Sequence, residues 1–141
     1  MLLVDVVPWV AIVGALASGL IICASPIDAR PGIWKLPATL CILFLAWSLW
    51  AIATEGLFGF WVEHTRNKWG NQIWFDLVLG ISVAWAILAP EAKRVGTRLL
   101  PWLALIFGTG CIGLLAMLAR YLYLRDAQHQ DMAGGHATSG Q

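Results

Sequence analysis

The stretch LLPWLALIFGTGCIGLLAMLARYLYL, residues 99–124, decides how this chain is read. It is apolar throughout except for Thr109 and Arg120, and about 20 such residues suffice to cross a bilayer as a helix. Three further segments meet the same requirement: Val6 to Ala24, Leu36 to Trp61 and Gln72 to Ala89. Their ends carry helix punctuation, with Ser25-Pro26 after the first, Pro37 in the opening turn of the second, Pro90 after the third and Pro101 in the opening turn of the fourth. The expected fold is an all-α membrane protein of four transmembrane helices. Its connections are short, so consecutive helices are expected to pack antiparallel in an up-down bundle.

Composition supports that class. Of 141 residues, 60% are hydrophobic and 12% charged, and the mean hydropathy is +0.75; a soluble domain carries about 25% charged residues. Nine basic residues against eight acidic ones leave no surplus for a nucleic-acid footprint. Cys23, Cys41 and Cys111 lie far apart in apolar runs and form no metal or disulfide pattern. Before the first segment there is no Lys or Arg and there is an acidic residue, Asp5, so a retained span fits better than a cleaved leader. Gly108 to Gly113 spells G-x-G-x-x-G, but inside an apolar helix rather than after a strand. There the glycines serve close helix contact, not nucleotide binding.

Basic residues orient the helices. Arg30, Lys35, Lys93, Arg94 and Arg98 fall in the first and third connections, against Arg66, Lys68 and Arg125 on the other side. Both termini are therefore expected on the outer, periplasmic face. The nine tryptophans divide into a boundary belt (Trp9, Trp34, Trp61, Trp69, Trp74 and Trp102) and a deeper set, Trp47, Trp50 and Trp85, available to lipid, a neighbouring subunit or a flat cofactor. Residues 126–141 are polar and glycine-containing, and read as a flexible tail. His129 and His136 within it are too sparse for a metal site, and no metal is expected.

Three charges fall inside expected spans: Glu55, Asp76 and Arg120. Each costs about 2.5–3.5 kcal/mol at mid-helix on insertion scales. In four alternating spans all three lie at one depth below the outer face. Each also sits on a stripe of small residues: Ala51 and Ser48, Gly80 and Ala84, and Ala116, Gly113 and Thr109. They are expected to form one buried polar cluster. It acts either as an ion-pair network fixing helix register or as a proton-handling or polar-ligand site, with Arg66 or Lys68 near enough to contribute charge. His64, in the polar connection above it, is either a solvated interface residue or a ligand to a tetrapyrrole metal.

The run Asn71 to Leu77, containing Phe75-Asp76-Leu77, the loop Glu91-Ala92-Lys93-Arg94-Val95-Gly96, and Tyr123-Leu124-Arg125 together resemble a family of small bacterial inner-membrane proteins known as a domain of unknown function. Its motifs are F-x-D-L-like, E-A-K-R-x-G and Y-L-R. The resemblance spans Thr54 to Arg125 and implies a multi-pass protein of the bacterial inner membrane. It marks Asp76, Lys93, Arg94, Tyr123 and Arg125 as family-like positions and implies no activity.

Two functions compete. The first is a non-catalytic accessory subunit of a larger bacterial membrane complex, respiratory or photosynthetic, packing against neighbouring subunits, lipids or pigments. His64, Arg66, Trp50 and Trp74 would then be contact residues. No cofactor is required, although a lipid, a carotenoid or a chlorophyll-type pigment can be accommodated. The second is a small enzyme acting on an isoprenoid or carotenoid-like substrate. Glu55 or Asp76 would be its acid, and Trp50 and Trp74 its cation-stabilising wall.

Overall fold

The computed structural model describes residues 2–24 and 32–138, with side chains at 5–21, 23 and 32–130. Among the described residues the chain is entirely helical, with α1 (Leu2–Ala24), α2 (Lys35–Glu55), α3 (Gly59–Thr65), α4 (Lys68–Arg94), α5 (Leu99–Thr109) and α6 (Cys111–Thr138). The chain divides into two units, Met1–Ile33 and Trp34–Gln141. The first contains α1, a helix of 23 residues. Its Trp9, Val10, Val13, Leu16 and Leu20 are all exposed.

In the second unit α2 and α4 are the two helices long and apolar enough to cross a membrane. Their apolar windows are only 6% and 11% buried, so neither is the core helix of a soluble protein. By length and composition these two helices could cross a membrane.

The expected fourth span is broken. At Gly110 the backbone enters the left-handed region, φ 62°, where a side chain would be strained. In a straight helix Ile106 and Gly113 would stand about 10.5 Å apart along the axis. Instead, a Cβ added at Gly113 would meet the Ile106 Cα and N at 2.9 Å. The chain therefore doubles back, and α5 and α6 pack as a hairpin. Thr109 stitches the turn: its hydroxyl donates to the Leu105 carbonyl at 2.7 Å and accepts from the Gly113 N–H at 3.1 Å. Eleven residues make α5 about 16 Å long, half the roughly 30 Å of a bilayer core.

α6 packs against α2, α5 and α4. Trp34 at the start of α2 stacks edge-on against Tyr123, and the Cys41 thiol points at the Ile112 carbonyl at 3.4 Å, so α2 and α6 run antiparallel. Gly110 lies beside Ile81, and Leu88 and Ala92 share a core with Ile106 and Met117, so α4 and α6 run the same way. Met117 and Ala92 are the most buried side chains.

Other boundaries shift for local reasons. The second helix ends at Glu55 rather than Trp61, because Gly56 adopts φ 86° and its N–H caps the Ile52 carbonyl. α4 starts at Lys68 rather than Gln72, since the extended Asn67 caps it by accepting from the Gly70 N–H at 2.8 Å. Pro90 lies within α4 instead of ending it. Only the Ala86 carbonyl loses its partner to the ring, near the end of the helix. At the other end of the chain the helix runs past Leu124 to Thr138, through much of the segment expected as a tail.

Candidate functional site

The functional side chains sort to two ends of the second unit. One end holds the close of α2, α3 and the start of α4. Glu55 terminates α2 and is exposed. α3 seats on α4 because Gly70 lets the helices touch; a Cβ there would strike the Glu63 and His64 carbonyl oxygens. His64, Phe60 and Trp74 form a three-ring cluster, with the Phe60 and Trp74 centroids 6.5 and 5.2 Å from the imidazole. Its Nδ1 lies 2.6 Å from the Phe60 carbonyl. With a proton on Nδ1 donated to that oxygen, a neutral ring keeps Nε2 as its unprotonated nitrogen. A shallow groove of about 400 Å³ is lined by Glu63, His64, Asn67, Trp69, Gly70 and Ile73. Arg66 does not reach the carboxylates of the spans; it pairs with Glu63 at 3.0 Å, both exposed.

Asp76 stands about 12 Å along α4 from Lys68. It is exposed, and its carboxylate accepts one hydrogen bond, from the Gln72 amide at 3.3 Å. Among the described residues no ion pair involves it.

The opposite end gathers the start of α2, the α4–α5 loop and α6. Arg120 belongs here. It lines a groove of about 490 Å³ with Gly96, Thr97, Arg98, Pro101, Trp102 and Leu105. The expected cluster of Glu55, Asp76 and Arg120 is therefore not assembled. That expectation drew residues 99–124 as one crossing, which carries Arg120 to the outer side; the reversal at Gly110 returns it to the level of the α4–α5 loop. Glu55 lies about 30 Å along α2 from Lys35, the end near which Tyr123 packs. All three charged side chains are exposed rather than buried.

The aromatic rings do not form a wall beside the carboxylates either. Trp50 packs against Trp47 at 4.9 Å, and Trp74 against Phe60 and His64. Neither groove is lined by Glu55, Asp76, Trp50 or Trp74. Trp85 and Trp102, separated in the sequence reading into deep and boundary sets, both pack on the core around Met117. Among the described residues no group of three His, Cys, Asp or Glu could hold a metal ion.

Sequence reasoning missed the α4–α5–α6 groove, although two signals for it were present: the Gly110/Gly113 pair that turns the chain, and Gly96 after the Lys93-Arg94 pair, which ends α4. No family model matches the chain, and no curated protein or solved structure shows significant similarity to it.

Proposed function

We propose that the chain is a non-catalytic accessory subunit of a larger bacterial inner-membrane complex, in which α2 and α4 cross the bilayer and the α5–α6 hairpin enters it from one side and returns. Positive charge orients this arrangement. Lys35, Lys93, Arg94, Arg98, Arg120 and Arg125 gather at the end where the hairpin opens, against Arg66 and Lys68 at the other. The first end faces the cytoplasm, so α6 emerges on the cytoplasmic side in place of the expected periplasmic carboxy terminus.

The observation that carries the subunit reading is Asp76. It is a carboxylate well inside a membrane-length helix, uncovered by the rest of the second unit, and among the described residues its one hydrogen-bond partner is Gln72. Facing lipid it would cost about 2.5–3.5 kcal/mol. The hairpin, reaching only halfway, leaves the outer half of α2 and α4 without cover from the second unit: Leu49, Trp50, Ile73, Phe75 and Leu79 are all exposed. A neighbouring subunit's helix that brings a cation or an amide donor to Asp76 would satisfy both needs. The enzyme reading has less support, because its acids and rings line no common pocket.

Native gels of membranes solubilised in mild detergent test the proposal. The wild-type chain is expected to migrate in a larger species, and Asp76→Leu to release it as a free small protein that is still inserted. Migration of the wild type only as a free small species would sink the proposal.

A further inference from the structure

The α4–α5 loop carries a second feature, on the basic face and away from Asp76. α4 closes in a Schellman turn: Gly96 adopts φ 81°, its N–H bonds the Lys93 carbonyl at 3.1 Å, and the Thr97 N–H bonds the Ala92 carbonyl at 3.0 Å. This turn draws Thr97 inward until it is only 7% exposed. Its backbone is satisfied but its Oγ1 is not; the hydroxyl is buried with no hydrogen-bond partner. Buried polar atoms are nearly always paired in native proteins, so an orphaned hydroxyl on a residue that lines a groove is a donor open to a ligand once its side chain turns toward the groove.

Two cationic donors share the groove with the apolar side chains of Pro101, Trp102 and Leu105. Arg98 and Arg120 line it from the start of α5 and from α6. Among the described residues neither makes an ion pair or hydrogen bond, whereas the nearby Arg94 is taken by Glu91. The eleven-residue α5 begins here with no side-chain cap. Its first amides, on Leu99 and Leu100, therefore lack an intrahelical partner, and Pro101 has no N–H to satisfy. The positive end of the helix dipole adds to the two guanidiniums.

We infer that this groove binds a phosphate-type oxyanion, either as the headgroup of an anionic lipid or as free phosphate. The donors come from a loop, a helix start and a facing helix. Two guanidiniums with no partner of their own among the described residues and a helix start favour the more highly charged phosphate-type anion over a single carboxylate. A groove of about 490 Å³ holds a headgroup, and Trp102 on its wall supplies the amphipathic ring that suits an interface. The site stands on the groove alone and does not depend on a partner at Asp76.

The full chain, purified in neutral detergent and stripped of lipid, is titrated calorimetrically with inorganic phosphate in one arm and dihexanoyl-phosphatidylglycerol in another. Dihexanoyl-phosphatidylcholine is the zwitterionic control. Saturable binding in both arms assigns the site to the oxyanion itself, and binding of phosphatidylglycerol alone assigns it to the lipid headgroup; either supports the inference. Arg98→Gln and Arg120→Gln are each expected to weaken binding about tenfold. Thr97→Val should weaken it severalfold while leaving the melting temperature of the unliganded protein equal or higher. The inference is overturned if neither anion binds, if phosphatidylcholine binds as tightly as phosphatidylglycerol, or if the double Arg98→Gln/Arg120→Gln variant, folded by its melting curve, keeps wild-type affinity.

Discussion

Trp34 and Tyr123 meet edge to face with ring centroids 5.5 Å apart, which sets the first turn of α2 beside the last apolar turn of α6. In an up-down bundle of four spans these residues would lie on opposite sides of the membrane. Their contact places the two residues at one end of the second unit, and labelling can check the sidedness this implies for the membrane-inserted chain. With the native cysteines replaced, single cysteines at Lys35, Arg98 and Arg125 are expected to react with a membrane-impermeant maleimide from one side, and a cysteine at Lys68 from the other. Labelling of the Arg125 and Lys68 positions from the same side would restore the four-span topology.

The hairpin depends on the approach of Gly113 to the Ile106 backbone. Gly113→Ala must push that backbone away, and overpacking of this kind costs about 1–3 kcal/mol. Gly80 is the internal control: it is helical, and nothing lies within 4 Å of where its Cβ would be. Gly80→Ala is expected to be neutral or to stabilise by up to about 1 kcal/mol. Thermal unfolding in detergent compares the two, and equal melting temperatures would mean that the hairpin is not closely packed.

The contrast between those glycines explains what the sequence could and could not reveal. Hydropathy correctly marked α2 and α4, whose length and apolar content suit a bilayer whatever they pack against. It could not register the turn at Gly110, because the residues on both sides remain apolar and a break in a helix changes direction without changing composition. Gly108, Gly110 and Gly113 were visible as a motif, but only the backbone shows that one of them adopts a positive φ. Asp76 was legible as a residue needing a partner. Its assignment to Arg120 failed because depth was counted along a helix that turns back.

The start of α4 is held by two small features that can be separated. Asn67→Ala removes the side-chain acceptor for the Gly70 N–H and is expected to cost about 1 kcal/mol. Gly70→Ala leaves that acceptor but drives a methyl group into the Glu63 and His64 carbonyls, so α3 must lift from α4. Protease access to residues 59–65 should therefore rise in Gly70→Ala and change little in Asn67→Ala. Equal protection in both variants would show that α3 is anchored by its Phe60, His64 and Trp74 ring contacts alone.

Glu55 and Arg120 give the sharpest comparison between one crossing and a hairpin. If residues 99–124 ran straight across, the two charges would sit at one depth and share an ion-pair network. Removing one partner would then leave the other buried and uncompensated, with coupling on the order of 1–3 kcal/mol. In the hairpin they lie at opposite ends of the second unit, and groups so far apart behave additively to within about 0.3–0.5 kcal/mol. A double-mutant cycle of Glu55→Gln and Arg120→Gln, read by denaturation in detergent, should thus show no coupling beyond that margin. The same cycle on Glu63 and Arg66, which pair at 3.0 Å on the exposed surface, should return a small positive coupling of about 0.2–1 kcal/mol. A coupling larger for Glu55–Arg120 than for Glu63–Arg66 would require α6 to leave the groove by the α4–α5 loop and complete the crossing.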